Sequence, residues 1–140
     1  MQHTWQPPSN DGIRTHTRAS SNQRIDRETQ QALDEVGHSS ERIHARLAEL
    51  DREWNVDRAL MLNFSIVGGL VASLTVRNLR RRRKLGGWGA LLFTQLAFLG
   101  HHAIRRWCPP LPLFRRLGFR SDREISAERE ALQKRLDAMS

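Results

Sequence analysis

The chain has 140 residues, of which 39 % are hydrophobic and 27 % charged, and its formal net charge is +8. That length allows one domain at most, and so few apolar residues cannot spread a large soluble core along the chain. The single cysteine, Cys108, excludes an internal disulfide framework or a CxxC metal site within one copy.

The charge is unevenly placed. Residues 1–76 carry 8 basic and 10 acidic side chains, residues 77–123 carry 12 and 1, and residues 124–140 carry 3 and 4. The excess of positive charge therefore lies in one stretch, the one that contains and borders the most apolar sequence.

Residues 1–24 mix Pro, Ser, Asn, Thr and Arg with little periodicity, the composition of a disordered tail. They contain no apolar run of the kind a secretory signal needs, so the first hydrophobic window must itself direct membrane insertion. Residues 25–54 form an amphipathic helical segment. A weak stripe of Ile25, Ala32, Leu33 and Val36 stops at Gly37, and Ser39 or Ser40 is placed to cap a second helix. In that helix, about residues 41–55, Ile43, Leu47, Leu50 and Trp54 recur at i, i+4, i+7 and i+11. Fewer than two heptads is too short to specify a coiled coil, so the stripe is expected to pack on a C-terminal counterpart.

Residues 55–120 carry the main signal. Neither Ala59–Val76 nor Leu85–Ile104 contains a single Asp, Glu, Lys or Arg. Each window approaches the ~20 residues a helix needs to cross ~30 Å of hydrocarbon. The negative mean hydropathy reflects only the polar flanks. The pattern predicts a two-helix transmembrane hairpin within an all-α fold. Ser65, Gly69 and Ser73 form a small-residue ladder for close helix approach, and Asn63 lies near enough in depth to Gln95 for an interhelical amide hydrogen bond. The connection Arg77–Lys84 holds six positive charges in eight residues and is expected to be an interfacial turn. Arg80, Arg81, Arg82, Arg83 and Lys84, with Arg105 and Arg106 after the second window, are assigned to anionic lipid head groups. Pro109, Pro110 and Pro112 predict extended backbone. There Trp107, Leu111, Leu113, Phe114 and Phe119 alternate with arginines as an interfacial collar. Residues 121–140 open with the capping box Ser121-Asp122-Arg123-Glu124, which predicts a final amphipathic helix over about 122–138.

Three chemical readings compete with a plain membrane anchor. Arg105 and Arg106 beside Cys108 would lower the thiol pKa, as sulfur or redox handling requires, and a disulfide between copies is also open. No second cysteine or acid–base partner accompanies it. His101 and His102 suggest metal binding, but His101 and Cys108 lie ~10.5 Å apart on a continuing helix, too far for one ion with bonds of ~2.0–2.3 Å. The run Arg80–Lys84 also resembles a nucleic-acid patch. Between two hydrophobic windows, lipid phosphates are the nearer anions, so no nucleic acid is expected as partner. No phosphate loop, nucleophile elbow or paired carboxylates support an enzyme, and no cofactor or metal is expected.

The residues NVDRALMLN entering the first window, the short turn, and WCPPLPLFRRLG after the second resemble the YgaP-like transmembrane domain over about residues 55–124. The resemblance implies a small bacterial inner-membrane protein with two helices and a Cys-Pro motif, here Cys108-Pro109. Some members carry a cytosolic rhodanese domain ahead of the helices. This N-terminal region is too short for one and has no cysteine, so sulfurtransferase activity does not carry over. The cytosolic position of those domains implies both termini in the cytoplasm. The expectation is a non-enzymatic two-pass scaffold or accessory subunit that forms homo-oligomers through its small-residue faces. The alternatives are a membrane-linked thiol protein acting through Cys108 and a soluble basic nucleic-acid-binding protein.

Overall fold

In a computed structural model that describes residues 5–139, local capping signals set where helices begin. The Asp11 carboxylate accepts from the Ile13 amide at 2.9 Å and starts a short α1, Gly12–Thr15. Helix α2, Ala19–Val36, ends at Gly37, whose φ of 59° suits a residue without Cβ. Helix α3 spans Ser40–Leu50. Asn55 caps α4, Val56–Arg82, by accepting from the Arg58 amide at 2.8 Å. Helices α5, Gly86–Arg105, and α6, Leu111–Arg116, follow. Both halves of the Ser121/Glu124 capping box form at the start of α7, Asp122–Asp137. The fold is all-helical among the described residues.

Two apolar clusters organise the packing. In the first, Leu33 of α2, Ile43 and Leu50 of α3, and Ile125 and Leu132 of α7 bury one another, with Trp5 against them. This joins α3 to α7 through Ile43, Leu47 and Leu50 of the predicted stripe; α3 stops at Leu50, short of the expected residue 55, and leaves Trp54 exposed. The second cluster gathers Ile13, Val56, Leu60, Cys108 and Leu111 where the long helices meet the rest. Helices α4 and α5 lie antiparallel. Asn78 meets the turn before α5, Gln95 meets Phe64 at mid-length, and His102 meets Asp57 at the open end. The remaining helices form a polar head at that open end.

Four expectations change. Residues 5–24 are ordered rather than a disordered tail, because Trp5 and Ile13 are buried anchors and α2 starts at Ala19; residues 1–4 lie outside the described residues. The arginine run is not a turn: α4 continues through Arg82, since Arg is a good helix former and cations complement the negative end of a helix dipole. The proline segment is not extended, because Pro112 sits in the first turn of α6, where a missing N–H costs nothing. Finally, α4 alone is long and apolar enough to cross a membrane by length and composition. Helix α5 has the length, 20 residues, but Gln95, His101 and His102 dilute its apolar content.

Candidate membrane hairpin and its two polar ends

Helices α4 and α5 bury few of their apolar side chains. Eighteen large hydrophobic residues are exposed among the described residues, and fourteen of them lie between Met61 and Ile104. Ile66, Leu70 and Phe93 are each over 60 % exposed, and only 28 % of the most apolar window of α4 is buried. Monomeric soluble proteins rarely expose contiguous apolar patches larger than a few hundred Å². Charged groups stand off this surface at both ends.

The contact between the two helices depends on one glycine. The Gln95 side-chain amide donates to the backbone carbonyl of Phe64 at 3.2 Å. In a helix that carbonyl already accepts from residue 68, and its second lone pair is reachable because Gly68 has no side chain. A Cβ on Gly68 would stand 3.1 Å from the Gln95 nitrogen. Gln95 therefore bonds to backbone, whereas the sequence reading paired it with the Asn63 side chain; Asn63 and Gln95 border the same shallow cleft. The expected ladder Ser65, Gly69, Ser73 does not meet α5. It is one residue, about 100° of rotation, away from the face carrying Gly68, Val71 and Thr75. The Ser65 and Ser73 hydroxyls donate to carbonyls of their own helix at 2.8 Å, and a Cβ on Gly69 would touch nothing within 4 Å. Ser65 and Gly69 line an apolar groove of about 390 Å³ open along the hairpin.

At the closed end, Arg80, Arg81, Arg82, Arg83 and Lys84 are all exposed. Arg83 takes a left-handed φ of 50° to end α4, and Asn78 donates to the Lys84 and Leu85 carbonyls at 3.1 and 3.3 Å, tying the turn. Arg105 and Arg106 are exposed at the opposite end of the hairpin. The arginines assigned to head groups thus fall into two groups separated by the apolar length.

At the open end, Cys108 has no exposed surface and packs with Ile13, Val56, Leu60 and Leu111. Burial pushes its thiol pKa up; the Leu111 amide opposes this and the charge of Asp57 adds to it. The basic neighbours in sequence do not reverse that balance. His102 is buried with Nε2 3.2 Å from the Asp57 carboxylate, and His101 meets Trp107 edge to face. Trp54 stacks under the Arg58 guanidinium at 5.1 Å.

Compared with protein-family models, curated proteins and solved structures, the chain matches none. Its reading rests on its own residues.

The head contains an ionic interior that the sequence reading did not foresee; it placed Arg115 in the interfacial collar. Arg115, Glu124 and Glu128 are fully buried. Arg115 reaches Glu124 at 2.6 and 2.8 Å in a fork, and Arg14 joins the same carboxylate at 2.5 Å while holding Asp26 at 2.8 Å. Arg120 bridges Glu128 and Glu53, and Arg46 reaches Glu128 at 2.8 Å. Burial alone would raise the Glu124 pKa, but the Arg115 hydrogen bonds and charge, the Ser121 amide and Arg14 outweigh it and lower the pKa. Such groups are costly to bury and tolerated only in pairs. The sole sequence signal for them was Glu124, already committed by the capping box.

Proposed function

We propose that the protein is an integral membrane protein whose α4/α5 hairpin crosses the cytoplasmic membrane twice and holds the helical head at one surface. It acts there as a non-enzymatic scaffold or accessory subunit. The observation that carries this reading is the belt of exposed apolar side chains along both helices, bounded by arginines at each end. Trp54 and Trp107 near the open end and Trp88 near the closed end suit the two interfaces, where aromatic rings collect. The 20-residue length of α5 is sufficient, and two of its polar side chains are engaged by α4: Gln95 with Phe64 and His102 Nε2 with Asp57. Two crossings put both termini on one side. The cytoplasmic side is favoured because Arg46, Arg52, Arg58 and the six arginines of 105–123 flank the open end, against six cations at the turn. Insertion precedes folding, so arginines later buried in the head still count. The groove beside Ser65 and Gly69 is the proposed contact between copies. The YgaP-like resemblance agrees with this placement. The inaccessibility of Cys108 favours the scaffold over a thiol-transfer role.

Membranes from expressing cells, washed with high salt and then alkaline carbonate, should retain the protein until detergent is added. A maleimide reagent should reach Cys108 only after denaturation. Release by salt or carbonate would sink the membrane reading, and rapid labelling of the native protein would restore the thiol one.

A further inference from the structure

The closed end of the hairpin concentrates positive charge without any counter-charge of its own. Between Arg58 and Ser121 the sequence contains no Asp or Glu. The ion pairs among the described residues all lie in the head or at its junction with the hairpin. Arg77 and Arg81 stand at i and i+4 near the end of α4, a spacing at which like charges repel. Both border a cleft of about 520 Å³, together with Arg82, Lys84 and Trp88. Gly86 and Gly87 line it from the other helix and bring no side chain to fill it. The first turn of α5 has no side-chain cap, so its unpaired amides add to the positive field of the same cleft. Asn78, which also lines it, is occupied by the turn carbonyls and leaves the charge to the arginines and the lysine.

Four cations around an unfilled cleft call for an anion with several acceptor oxygens. The apolar neighbours decide its source: Leu79, Leu85 and Trp88 are exposed beside the cleft, and a lipid can cover them with its acyl chains while a nucleic-acid backbone has no apolar group to do so. We infer that this cleft binds the phosphate of an anionic glycerophospholipid, an inference that rests on the membrane reading above. The phosphate sits among Arg77, Arg81 and Lys84, Trp88 lies at head-group level, and the acyl chains run along the exposed faces of α4 and α5. Arg77, absent from the head-group residues assigned by sequence, belongs to the site; Arg80 and Arg83 do not line it.

The test uses the full-length protein in mild detergent, mixed with equimolar phosphatidylglycerol and phosphatidylcholine, re-purified, and assayed for retained lipid. The wild type should enrich phosphatidylglycerol by about tenfold or more. The triple variant Arg77→Gln/Arg81→Gln/Lys84→Gln should lose that preference, and Arg27→Gln/Arg42→Gln, at two exposed arginines of the head, should keep it. Equal retention of both lipids, a preference that survives the triple variant, or equal loss in both variants overturns the site. Displacement of the lipid by inorganic phosphate or by a DNA duplex overturns the lipid as its ligand. Carbonate extraction run in parallel separates the two proposals: a wild type released by carbonate sinks the membrane reading, while a retained wild type without lipid preference sinks only this one. If carbonate releases the triple variant, Arg81→Gln replaces it, with an expected loss of about fivefold.

Discussion

Gly68 sets how closely the two long helices approach. Any side chain there meets the Gln95 amide at 3.1 Å and pushes it off the Phe64 carbonyl, while Gly69, one residue on, faces open space. Gly68→Leu should lower stability in detergent by about 1–3 kcal/mol, the usual range for overpacking. Gly69→Ala should leave it unchanged. Denaturant midpoints of the two variants measure this, and equal effects would mean that the helices meet on another face. The sequence shows both glycines, together with two serines at matching spacing, and offers no means of telling which lies at the interface.

At the scale of elements, the clamp between α6 and α7 joins the end of the hairpin to the head. Arg115 of α6 and Glu124 of α7 are both fully buried. Glu124→Gln leaves the Arg115 guanidinium buried without its counter-charge, which should cost about 3–5 kcal/mol. The same pair sets the acid limit. The folded-state pKa of Glu124 lies below its ordinary 4.5, so its contribution is fully present above that pH and is lost as pH falls through the folded value. Unfolding followed between pH 7 and pH 3 should show stability falling on the acid side, with a shallower fall in Glu124→Gln. An unaltered acid slope would mean that other carboxylates control it. Helix α7 was legible in advance, since Ser121 and Glu124 form a capping box regardless of distant contacts. Helix α6 was not, because Pro112 is as compatible with a helix start as with extended chain until Leu111 and Arg115 are drawn inward.

For the molecule as a whole, α1 is the wedge between head and hairpin. Ile13 is 1 % exposed and packs in the cluster that holds Val56 and Leu60 of α4 with Cys108 and Leu111 beyond α5. The Asp11 carboxylate accepts from the Ser121 hydroxyl at the start of α7. Ile13→Ala should cost about 2–5 kcal/mol. It should also speed maleimide labelling of Cys108 in the otherwise folded protein; loss of stability with Cys108 still protected would place the cavity away from the junction. Residues 5–24 escaped the sequence reading for a physical reason. Their anchors, Trp5, Asp11 and Ile13, are isolated in a polar stretch and acquire tertiary partners from distant parts of the chain, among them α2, α4, α6 and the start of α7.

Composition and periodicity alone determined the all-helical class, the two charge-free windows with arginines beyond them, the stripes of α3 and α7, and the final cap. Each follows from interactions within about one helical turn or from bulk transfer out of water, which a linear chain displays directly. Tertiary structure alone decided that Gly68 rather than Gly69 meets α5, that Cys108 is sealed, that Arg115, Glu124 and Glu128 lie inside, and that Arg77 joins Arg81 and Lys84 around one cleft. These depend on the rotation of each helix about its axis and on partners far apart in sequence, such as Arg14 with Glu124, 110 residues away. A buried ion pair and an exposed one are written with the same residues; only the packing around them sets which is which.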